Sequence, residues 1–443
     1  MNVGFAKSDI TPRVGVELCG FGPFLNRHSV GVRDRLWARA MALESGGARG
    51  VVISCDLIGT IPEITDEIRA IVSRATGIGA DAIMVACSHT HSGPCTGRYI
   101  GWGDPDEPYI QTLPQRVAAA ALEAAARLEP ARLALAEAFC EGIGLNREYD
   151  RDAPPLEEVL RDDWRPARPE LTDTTCRVLR FDAGQRCIGF ASYFGCHPVV
   201  CCEETRYIHG DYCGVATNLL EREHPGAVGL FLQGAQGDVN TCAAHKGEQE
   251  SLLALDVIAA RYAGAVRQGL RQAQPIDADV VRFCRHKVRF SRKDWGPDKL
   301  RQMLAEKQAA LRAPGATDAD RQLRMEAVYL IAVQRMLARL EANESLSPAL
   351  ELQGMRIGPV ALLGSPFETF QAIKNDVQAR ARSPVPLVVG LVNDSVGYAP
   401  DRTAAARGGY AADMVPMICG SLPFANAHQE LLEGLLAVDA ALQ

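Results

Sequence analysis

Several features that would mark a secreted, disulfide-bonded or membrane-spanning protein are missing from this 443-residue sequence. Its fourteen cysteines are scattered, without a C-x-x-C pair or a regular spacing, which argues against a disulfide framework. The first residues lack the basic stretch and apolar core of a secretory signal, and no run of about 18 apolar residues follows. We therefore expect a reducing, cytoplasmic location, with most cysteines buried as small apolar side chains.

An excess of positive charge is also absent, which bears on the partners of the protein. The chain carries 47 Lys and Arg against 54 Asp and Glu, a net charge of −7, and has no Lys/Arg block. Nucleic acid and anionic membrane surfaces are therefore not expected partners. The glycine-rich segment 232–240 (LQGAQGDVN) lacks both the Gly-Lys-Ser/Thr ending and the G-x-G-x-x-G spacing of nucleotide-binding loops, so a nucleotide site is not expected there.

Apolar runs typical of strands alternate with helical patterns along the chain, and this alternation predicts an α/β (α+β) fold. We expect mixed β-sheet layers flanked by helices, with an amphipathic helical excursion at about residues 296–345 that forms either solvated surface or a lid. We further expect residues 1–443 to form one catalytic domain. The predicted strands cover 36–43, 50–58, 82–87, 172–181, 187–193, 227–232, 361–364 and 387–392. The predicted helices cover 64–75, 114–128 and 427–442, with two more between 298 and 344.

The strongest local motif is the segment 87–94 (CSHTHSGP), which follows an apolar run. In an extended backbone, residues two apart face the same side, so His89 and His91 are expected to project together from a strand end. The Gly93-Pro94 pair then forces a turn. Two converging imidazoles suit a metal ion. The alternative for an isolated His-x-His pair is one surface histidine and one satisfied core histidine.

Three further strand-like runs end at a Gly- or Pro-containing turn that carries a metal-capable side chain: His197, Glu368 and Tyr398. Catalytic zinc takes three or more protein ligands, mixes His with carboxylate, and keeps a position for water. Each residue alone has an ordinary alternative: for Glu368 a carboxylate at a helix start, and for Tyr398 a half-buried core tyrosine. The repetition of one layout favours the metal hypothesis.

Arg147 follows a strand-like run and is a candidate for binding a substrate carboxylate or carbonyl through its planar fork of donors. In isolation it would be an ordinary surface arginine.

With these motifs assembled, the sequence resembles the neutral/alkaline non-lysosomal ceramidase family. The resemblance rests on the order and spacing of segments spread along the chain: 4–12 (GFAKSDITP), 34–40, 88–94, 146–147, 195–197, 233–240 (QGAQGDVN), 366–368, 393–400 and 409–410. It implies a hydrolase of N-acyl amides with one Zn²⁺ per chain. The positions that match the family's metal ligands are His89, His197, Glu368 and Tyr398.

The same resemblance assigns further roles in the site. His91 matches the proton-transfer residue, Arg147 matches an arginine that positions the substrate carbonyl or developing oxyanion, and Tyr410 matches a pocket tyrosine. Asn240 stands where the family's ceramidases carry a serine after Gly-Asp-Val, so a covalent serine mechanism is not available at that position. A metal-and-water mechanism is unaffected, and we expect Asn240 to contribute to substrate binding.

The typical ceramidase also has a secretory signal and a C-terminal immunoglobulin-like domain, neither of which is expected here, so the resemblance does not establish ceramide as the substrate. The expected partner is a small-molecule or lipid amide. Two alternatives stay open: an esterase or lactonase that uses the same metal site on a small soluble substrate, and a zinc-holding binding protein without turnover. A homo-oligomer is compatible with the sequence.

Overall fold

The structure is a computed structural model that describes residues 1–97, 99–150 and 154–443. Its strands, in chain order, are β1 (Asn2–Asp9), β2 (Gly31–Val32), β3 (Trp37–Ser45), β4 (Ala48–Cys55), β5 (Ile83–Cys87), β6 (Glu129–Pro130), β7 (Arg132–Phe139), β8 (Gly144–Asn146), β9 (Thr175–Ala183), β10 (Arg186–Phe194), β11 (Tyr207–Ile208), β12 (Val228–Gln233), β13 (Val239–Thr241), β14 (Gln274–Pro275), β15 (Val281–Val288), β16 (Leu350–Ile357), β17 (Val360–Gly364), β18 (Glu368–Thr369), β19 (Val385–Val389) and β20 (Tyr398–Ala399).

Its α-helices, in the same order, are α1 (Pro62–Thr76), α2 (Glu107–Ala126), α3 (Leu156–Val159), α4 (Asp211–Glu223), α5 (Glu248–Gln272), α6 (Pro297–Leu311), α7 (Arg321–Glu341), α8 (Gln371–Arg380), α9 (Arg402–Arg407), α10 (Val415–Ile418) and α11 (Ala427–Ala441). A π-helical turn covers Tyr410–Met414. Within the described ranges, none of the helices combines the length and the apolarity needed to cross a bilayer. The mixture of sheets and helices confirms the predicted α/β class.

The first sheet has the strand order β5-β4-β3-β1-β6 and is covered on one face by α1 and α2. The sequence of strand β4 is apolar at nearly every position because the strand is buried on both faces. Val51 and Ile53 pack into the core beneath these helices, whereas Val52, between them, joins a second core on the other face. Because successive side chains of a strand point to opposite faces, a strand buried on both sides is apolar throughout rather than alternating.

The second and third sheets repeat this arrangement. The second sheet, β12-β10-β9-β7-β14, carries α4 and α5, and the third, β15-β16-β17-β19, carries α8 and α11. On β10, Phe190 faces α5, while Ala191 faces the interior. On β17, Leu363 packs on the helix side and Leu362 on the interior side. All three sheets therefore bury one face under helices and the other against each other.

The inner faces of the three sheets share one apolar core, which includes Val52, Leu230 and Leu362 from the first, second and third sheet. Each sheet contains one parallel strand pair: β4 with β5, β10 with β12, and β17 with β19. Backbone bonds join the carboxyl ends of these pairs, for example from Gly390 N–H to Gln233 O at 2.9 Å. The loops that leave these strands consequently meet at one place.

The helical excursion is present as the antiparallel pair α6 and α7, which packs beside the loops at these strand ends. Its apolar side shares a core with Trp102 and Tyr398.

Some predicted boundaries are wrong. The helix expected from residue 114 begins at Glu107, after Asp106, whose carboxylate accepts the Tyr109 N–H at 3.2 Å, and Pro114 lies inside the helix. The strands expected to reach 58 and 392 end at 55 and 389, where the chain turns into the candidate site.

Candidate metal centre and adjoining pocket

His89 is presented by a strained turn that follows β5 rather than by the strand itself. The strand ends at Cys87, and His89 has a φ of 73°, in the left-handed region that a histidine rarely adopts. The His89 N–H donates to Leu57 O at 2.8 Å, and its Nδ1 lies 2.6 Å from Ile58 O. Because Nδ1 donates to this carbonyl, the Nε2 lone pair is left free to bind a ligand. The expectation of an extended backbone at the His-x-His pair is therefore wrong.

His197 lies in the turn after β10 and is oriented in the same way. Its backbone N–H donates to Val239 O at 2.9 Å, and its Nδ1 lies 3.0 Å from Gln236 O. The glycine-rich segment 232–240 thus supplies the carbonyl that orients this ring. Again Nε2 is the nitrogen left free. The buried residues His89 and His197 therefore both direct Nε2 into one shared space.

Glu368 and Tyr398 are placed side by side by the short strands β18 and β20, which pair in parallel with these two residues in register. Both side chains are buried. The Glu368 Oε2 atom lies 3.2 Å from Nε2 of His89 and 3.2 Å from Nε2 of His197. The Tyr398 ring centre is 6.2 Å from that of His197. One carboxylate oxygen and two imidazole nitrogens therefore converge, with a phenol beside them.

The ordinary alternative for Glu368, a carboxylate at a helix start, does not describe the structure, whereas Tyr398 packs in an apolar core as well as beside the cluster. The N-cap of α8 is Phe370, so Glu368 lies before the helix start, with its carboxylate between the two histidines. Tyr398 is buried rather than half-buried, and its ring lies 4.7 Å from the Arg147 guanidinium carbon. Burial raises the pKa of Tyr398 well above its ordinary value, an effect that Arg147 only partly offsets.

His91 completes a group of three histidines. Its ring centre lies 4.9 Å from that of His89 and 5.7 Å from that of His197, and each of the three residues offers one nitrogen within 4.8 Å of the others. The residue is half-buried, but both of its ring nitrogens are shielded from solvent and have no hydrogen-bond partner in the described part of the chain. Buried polar atoms without partners are uncommon and indicate a missing ligand, a catalytic role or both.

The protonation states of the cluster fit a bound cation. Burial lowers the pKa of His197 to about 4 and, with His89 close by, holds that of His91 well below its usual value. Burial alone would raise the pKa of Glu368, but the facing imidazoles, whenever they carry a second proton, hold it well below its usual range, so the carboxylate stays ionised. Neutral imidazoles and an ionised carboxylate are the forms in which these side chains bind metals. The cluster could therefore hold a metal ion.

Arg147 directly follows the short strand β8 and Asn240 lies on β13, and these two strands pair antiparallel. The Arg147 N–H donates to Asp238 O at 2.9 Å, and its Nη1 lies 3.4 Å from Asn240 Oδ1, while its Nη2 is buried without a partner. Arg147 is therefore directed inwards and is not the surface arginine of the alternative interpretation. Among the described residues, Nη2 is its donor without a partner, and the side chain lines the pocket beside the histidine cluster.

A pocket of about 570 Å³ opens beside the cluster and is within the size range of small-ligand sites. Tyr410, at the start of the π-helical turn, is 46% exposed, and its ring lies 5.9 Å from that of Tyr398. The structure thus brings all of the predicted site residues to one region. The pocket is lined by Phe21, Pro23, His91, Trp102, Arg147, Glu148, His197, Val199, Asn240, His245, Arg321, Met325, Tyr398, Ala404, Arg407, Gly408, Gly409, Tyr410, Ala411 and Met414.

Sequence reasoning missed much of this lining, including Phe21, Trp102, His245 and the α7 residues Arg321 and Met325. None of them lies in a motif, and the chain separates them widely. The amphipathic pattern of α7 was the one available signal, because it raised the question of a lid. In the structure, α7 forms part of the pocket wall.

The fold and this site together define an α/β protein with a buried histidine and carboxylate cluster at the floor of a pocket. A sequence model of the N-terminal part of the neutral/alkaline non-lysosomal ceramidases matches residues 1–250, more than half of the chain. The chain belongs to this family, which confirms the resemblance inferred from the motifs.

Two curated relatives are neutral ceramidases. The protein from Mycobacterium tuberculosis is 24% identical over 266 residues, which cover 54% of this chain and 40% of that protein. The protein from Pseudomonas aeruginosa is 26% identical over 251 residues, 54% of this chain and 36% of that protein. These matches therefore span well under half the length of either relative.

Solved structures extend the likeness of fold to nearly the whole chain. The crystal structure of neutral ceramidase from Pseudomonas aeruginosa superposes with a TM-score of 0.72 at 19% identity, covering 99% of this chain and 74% of that one. A ceramidase complexed with C2 gives a TM-score of 0.75 at 21% identity, covering 99% and 75%. At these identities the superposition shows a shared fold.

Proposed function

We propose that this chain is a zinc-dependent hydrolase that cleaves an N-acyl amide bond. The observation that carries the proposal is the convergence of Glu368 Oε2 on the Nε2 atoms of His89 and His197 at 3.2 Å each, on the floor of a pocket. Family membership supports amide hydrolysis as the chemistry.

We assign the metal to His89, His197, Glu368 and Tyr398, one ion per chain. A set of imidazoles with a carboxylate suits zinc among the common protein metals. When bound, Zn²⁺ supplies Lewis acidity and lowers the pKa of a water molecule towards about 7. Both histidines have their Nδ1 atoms anchored to carbonyls, an orientation frequent among metal-binding histidines.

The remaining residues act on the substrate and on protons. His91 has two unpartnered ring nitrogens beside the cluster, so we assign it the transfer of a proton to the leaving nitrogen. Arg147 has a free buried Nη2 and would donate to the oxygen that becomes negative as the carbonyl is attacked. Asn240 and Tyr410, on the pocket wall, would position the substrate.

The apolar part of the pocket supports a lipid-like or otherwise apolar acyl group. Phe21, Trp102, Val199, Met325 and Met414 line it beside the polar floor. Burial of apolar substrate surface against such residues contributes roughly 25 cal/mol per Å². An amide with an apolar acyl chain and a polar remainder therefore fits the mixed lining.

Two broader points of the proposal rest on separate observations. The fourteen cysteines, all in the described part of the chain, form no disulfide, which supports a reducing and therefore cytoplasmic location. The proposed ligands come from loops of all three sheets, and the sheets share one core, which supports residues 1–443 as one catalytic unit with the α6–α7 pair as an insertion.

The first test measures metal and turnover together. Purified protein should contain about one zinc per chain by mass spectrometry and should hydrolyse N-acyl amides. Chelation should abolish hydrolysis, and added Zn²⁺ should restore it, because the metal supplies the Lewis acid.

A panel of amides and matched esters separates the alternatives. Esters cleaved with amides left intact would indicate an esterase instead. Stoichiometric zinc without turnover of any acyl substrate would indicate a binding protein. Activity that survives complete removal of the metal would contradict the proposed mechanism.

A further inference from the structure

The charged side chains of the pocket are unevenly distributed in a protein whose net charge is −7. Among the described residues, three arginines line the pocket, Arg147, Arg321 and Arg407, against one carboxylate, Glu148. Arg407 and Glu148 form an ion pair with each other, so their charges largely cancel. Two guanidinium groups are left without a lining carboxylate.

Arg321 is the more accessible of these two groups. It is the first residue of α7 and is exposed at the pocket mouth, where its Nη2 donates to Phe21 O at 3.0 Å. Among the described residues it has no carboxylate within 4.0 Å. Its remaining donors are therefore available to a ligand, and a guanidinium presents several such donors in one plane.

The electrostatic effect of both arginines is visible on neighbours in the same pocket. Burial is the largest cause that lowers the pKa of His245, and the charges of Arg321 and Arg147 lower it further, against the opposing effect of Glu203. The guanidinium carbon of Arg147 also lies 5.9 Å from the ring of Tyr410, on the wall of the same pocket. The charges of both arginines therefore act within the space of the pocket, where His245 also lies.

A neutral lipid amide would leave this positive charge uncompensated. An amide with a negatively charged group would pair with it through charge-assisted hydrogen bonds, which are about twice as strong as neutral ones. The apolar side chains of the pocket, Phe21, Trp102 and Met325 among them, would accept the acyl chain of the same molecule. The lining thus matches an amphipathic anion better than an uncharged lipid.

We propose that the amide cleaved at this site carries an anionic group, in the simplest case the carboxylate of an N-acyl amino acid, and that Arg321 binds that group. This inference rests on the proposed amide hydrolysis and names the substrate class within it. Arg321 is then a specificity-determining residue supplied by the helical insertion, while Arg147 stays with the scissile carbonyl.

The test compares amides that share one acyl chain and differ in charge: N-lauroylglycine, its neutral amide N-lauroylglycinamide, and the phosphate ester of N-lauroylethanolamine. We expect the better of the two anionic amides to have a kcat/KM about tenfold or more above that of the neutral amide, mainly through a lower KM. The reason is that a hydrogen bond to a charged group is worth about 1.5–3 kcal/mol. The two anions distinguish a carboxylate site from a phosphate site. Added salt should reduce the preference.

Substitutions show which residue causes the preference for anionic amides. Arg321→Gln should reduce the anionic-to-neutral ratio towards one, and Arg321→Lys should retain part of it. Arg301→Gln, which removes an exposed charge of the same helical pair away from the pocket, is the control and should keep the ratio.

Equal use of charged and neutral amides by the wild type, or an unchanged ratio in Arg321→Gln, would overturn the inference while leaving amide hydrolysis intact. Absence of hydrolysis for every amide would instead reject the proposed function, and the inference with it.

Discussion

At the scale of single residues, the two histidines of the His-x-His motif differ in what surrounds them. His89 is held in a left-handed conformation, which for a non-glycine residue costs of order 1–3 kcal/mol. Its backbone and ring bonds to the 57–58 turn offset that cost and aim Nε2 at Glu368. His91 has no such anchor at either ring nitrogen. This difference is the structural basis for assigning metal binding to one and proton transfer to the other.

The assignment predicts different outcomes for the two substitutions. His89→Ala should lose most of the bound zinc, because it removes a proposed ligand. His91→Ala should keep the zinc and lower kcat by about 10²- to 10⁴-fold, the usual contribution of a general acid or base. Metal content by mass spectrometry and kcat on one amide substrate check both expectations.

His286→Ala is the matched control, because that histidine is exposed on β15, outside the pocket lining. It should change neither quantity. Loss of zinc from His91→Ala would instead place His91 among the ligands, in a three-histidine arrangement that the spacing of the rings also permits.

At the scale of secondary-structure elements, the site depends on close contact between the glycine-rich turn after β12 and the short strand β18. The Gly237 N–H donates to Thr369 O at 2.9 Å. A side chain at Gly237 would place its Cβ 2.5 Å from Glu368 O and 2.7 Å from a ring carbon of Phe370. Since backbone atoms cannot yield easily, glycine is required there by the approach of β18.

Gly237→Ala should therefore displace Glu368 without touching the metal directly. We expect zinc affinity to fall about 10- to 100-fold, as for substitutions of residues that orient ligands, and stability to fall by about 1–3 kcal/mol from overpacking. Zinc titration against a competing chelator and urea denaturation measure the two effects.

Gly264→Ala offers a matched control, because a Cβ at this position of α5 meets no atom within 4 Å. It should keep the zinc affinity and stabilise the helix by about 0.5–1 kcal/mol. Unchanged zinc affinity in Gly237→Ala would show that β18 adjusts freely and that the close contact does not orient Glu368.

At the scale of the whole molecule, a polar network joins the first sheet to the third near the site. The Asn393 Nδ2 donates to Glu351 Oε1 at 2.9 Å and to Gln353 Oε1 at 2.7 Å, both on β16. Its Oδ1 accepts the N–H of Val85 on β5 at 2.9 Å. Arg69 of α1 donates to the same Glu351 oxygen at 2.7 Å. The network fixes the loop that leads from β19 to Tyr398.

This network predicts a pH dependence of stability. Burial alone would raise the pKa of Glu351, but hydrogen bonds and charge from Arg69 and Arg285 outweigh it and hold the pKa below its ordinary 4.5. A carboxylate with a lowered folded-state pKa stabilises the fold above its unfolded pKa, and that stabilisation is lost as pH falls through the folded value.

Glu351→Gln should accordingly be less stable than wild type near pH 7, by about 1–3 kcal/mol. The difference should shrink as the pH falls from about 5 to about 3. Denaturant unfolding at a series of pH values measures it. Glu433→Gln, at an exposed position of α11, should follow the wild-type curve. A constant difference between Glu351→Gln and wild type at all pH values would contradict the role given to the Glu351 charge.

The amino-acid sequence by itself determined the α/β class and the family, and it predicted that His89, His197 and Glu368 belong to one site. These could be predicted because residue type, strand periodicity and turn chemistry are local properties, and because each motif follows an apolar strand. Boundaries were less predictable: Leu57, Leu391 and Val392 are buried in the same cores as the sheets, but their backbone lies in the turns that follow β4 and β19. An apolar run shows that side chains are buried and does not show where the backbone leaves the sheet.

Only the tertiary structure decided which atoms meet. The left-handed turn at His89, the carbonyls that orient both histidines, and the place of Arg321 on the pocket wall depend on contacts between distant segments of the chain. No local pattern encodes such contacts, because they arise when three sheets close on one core and bring their strand ends together. The sequence therefore indicated a metal-dependent hydrolase of amides, whereas the charge of the pocket, and with it the proposed substrate class, could be read only from the fold.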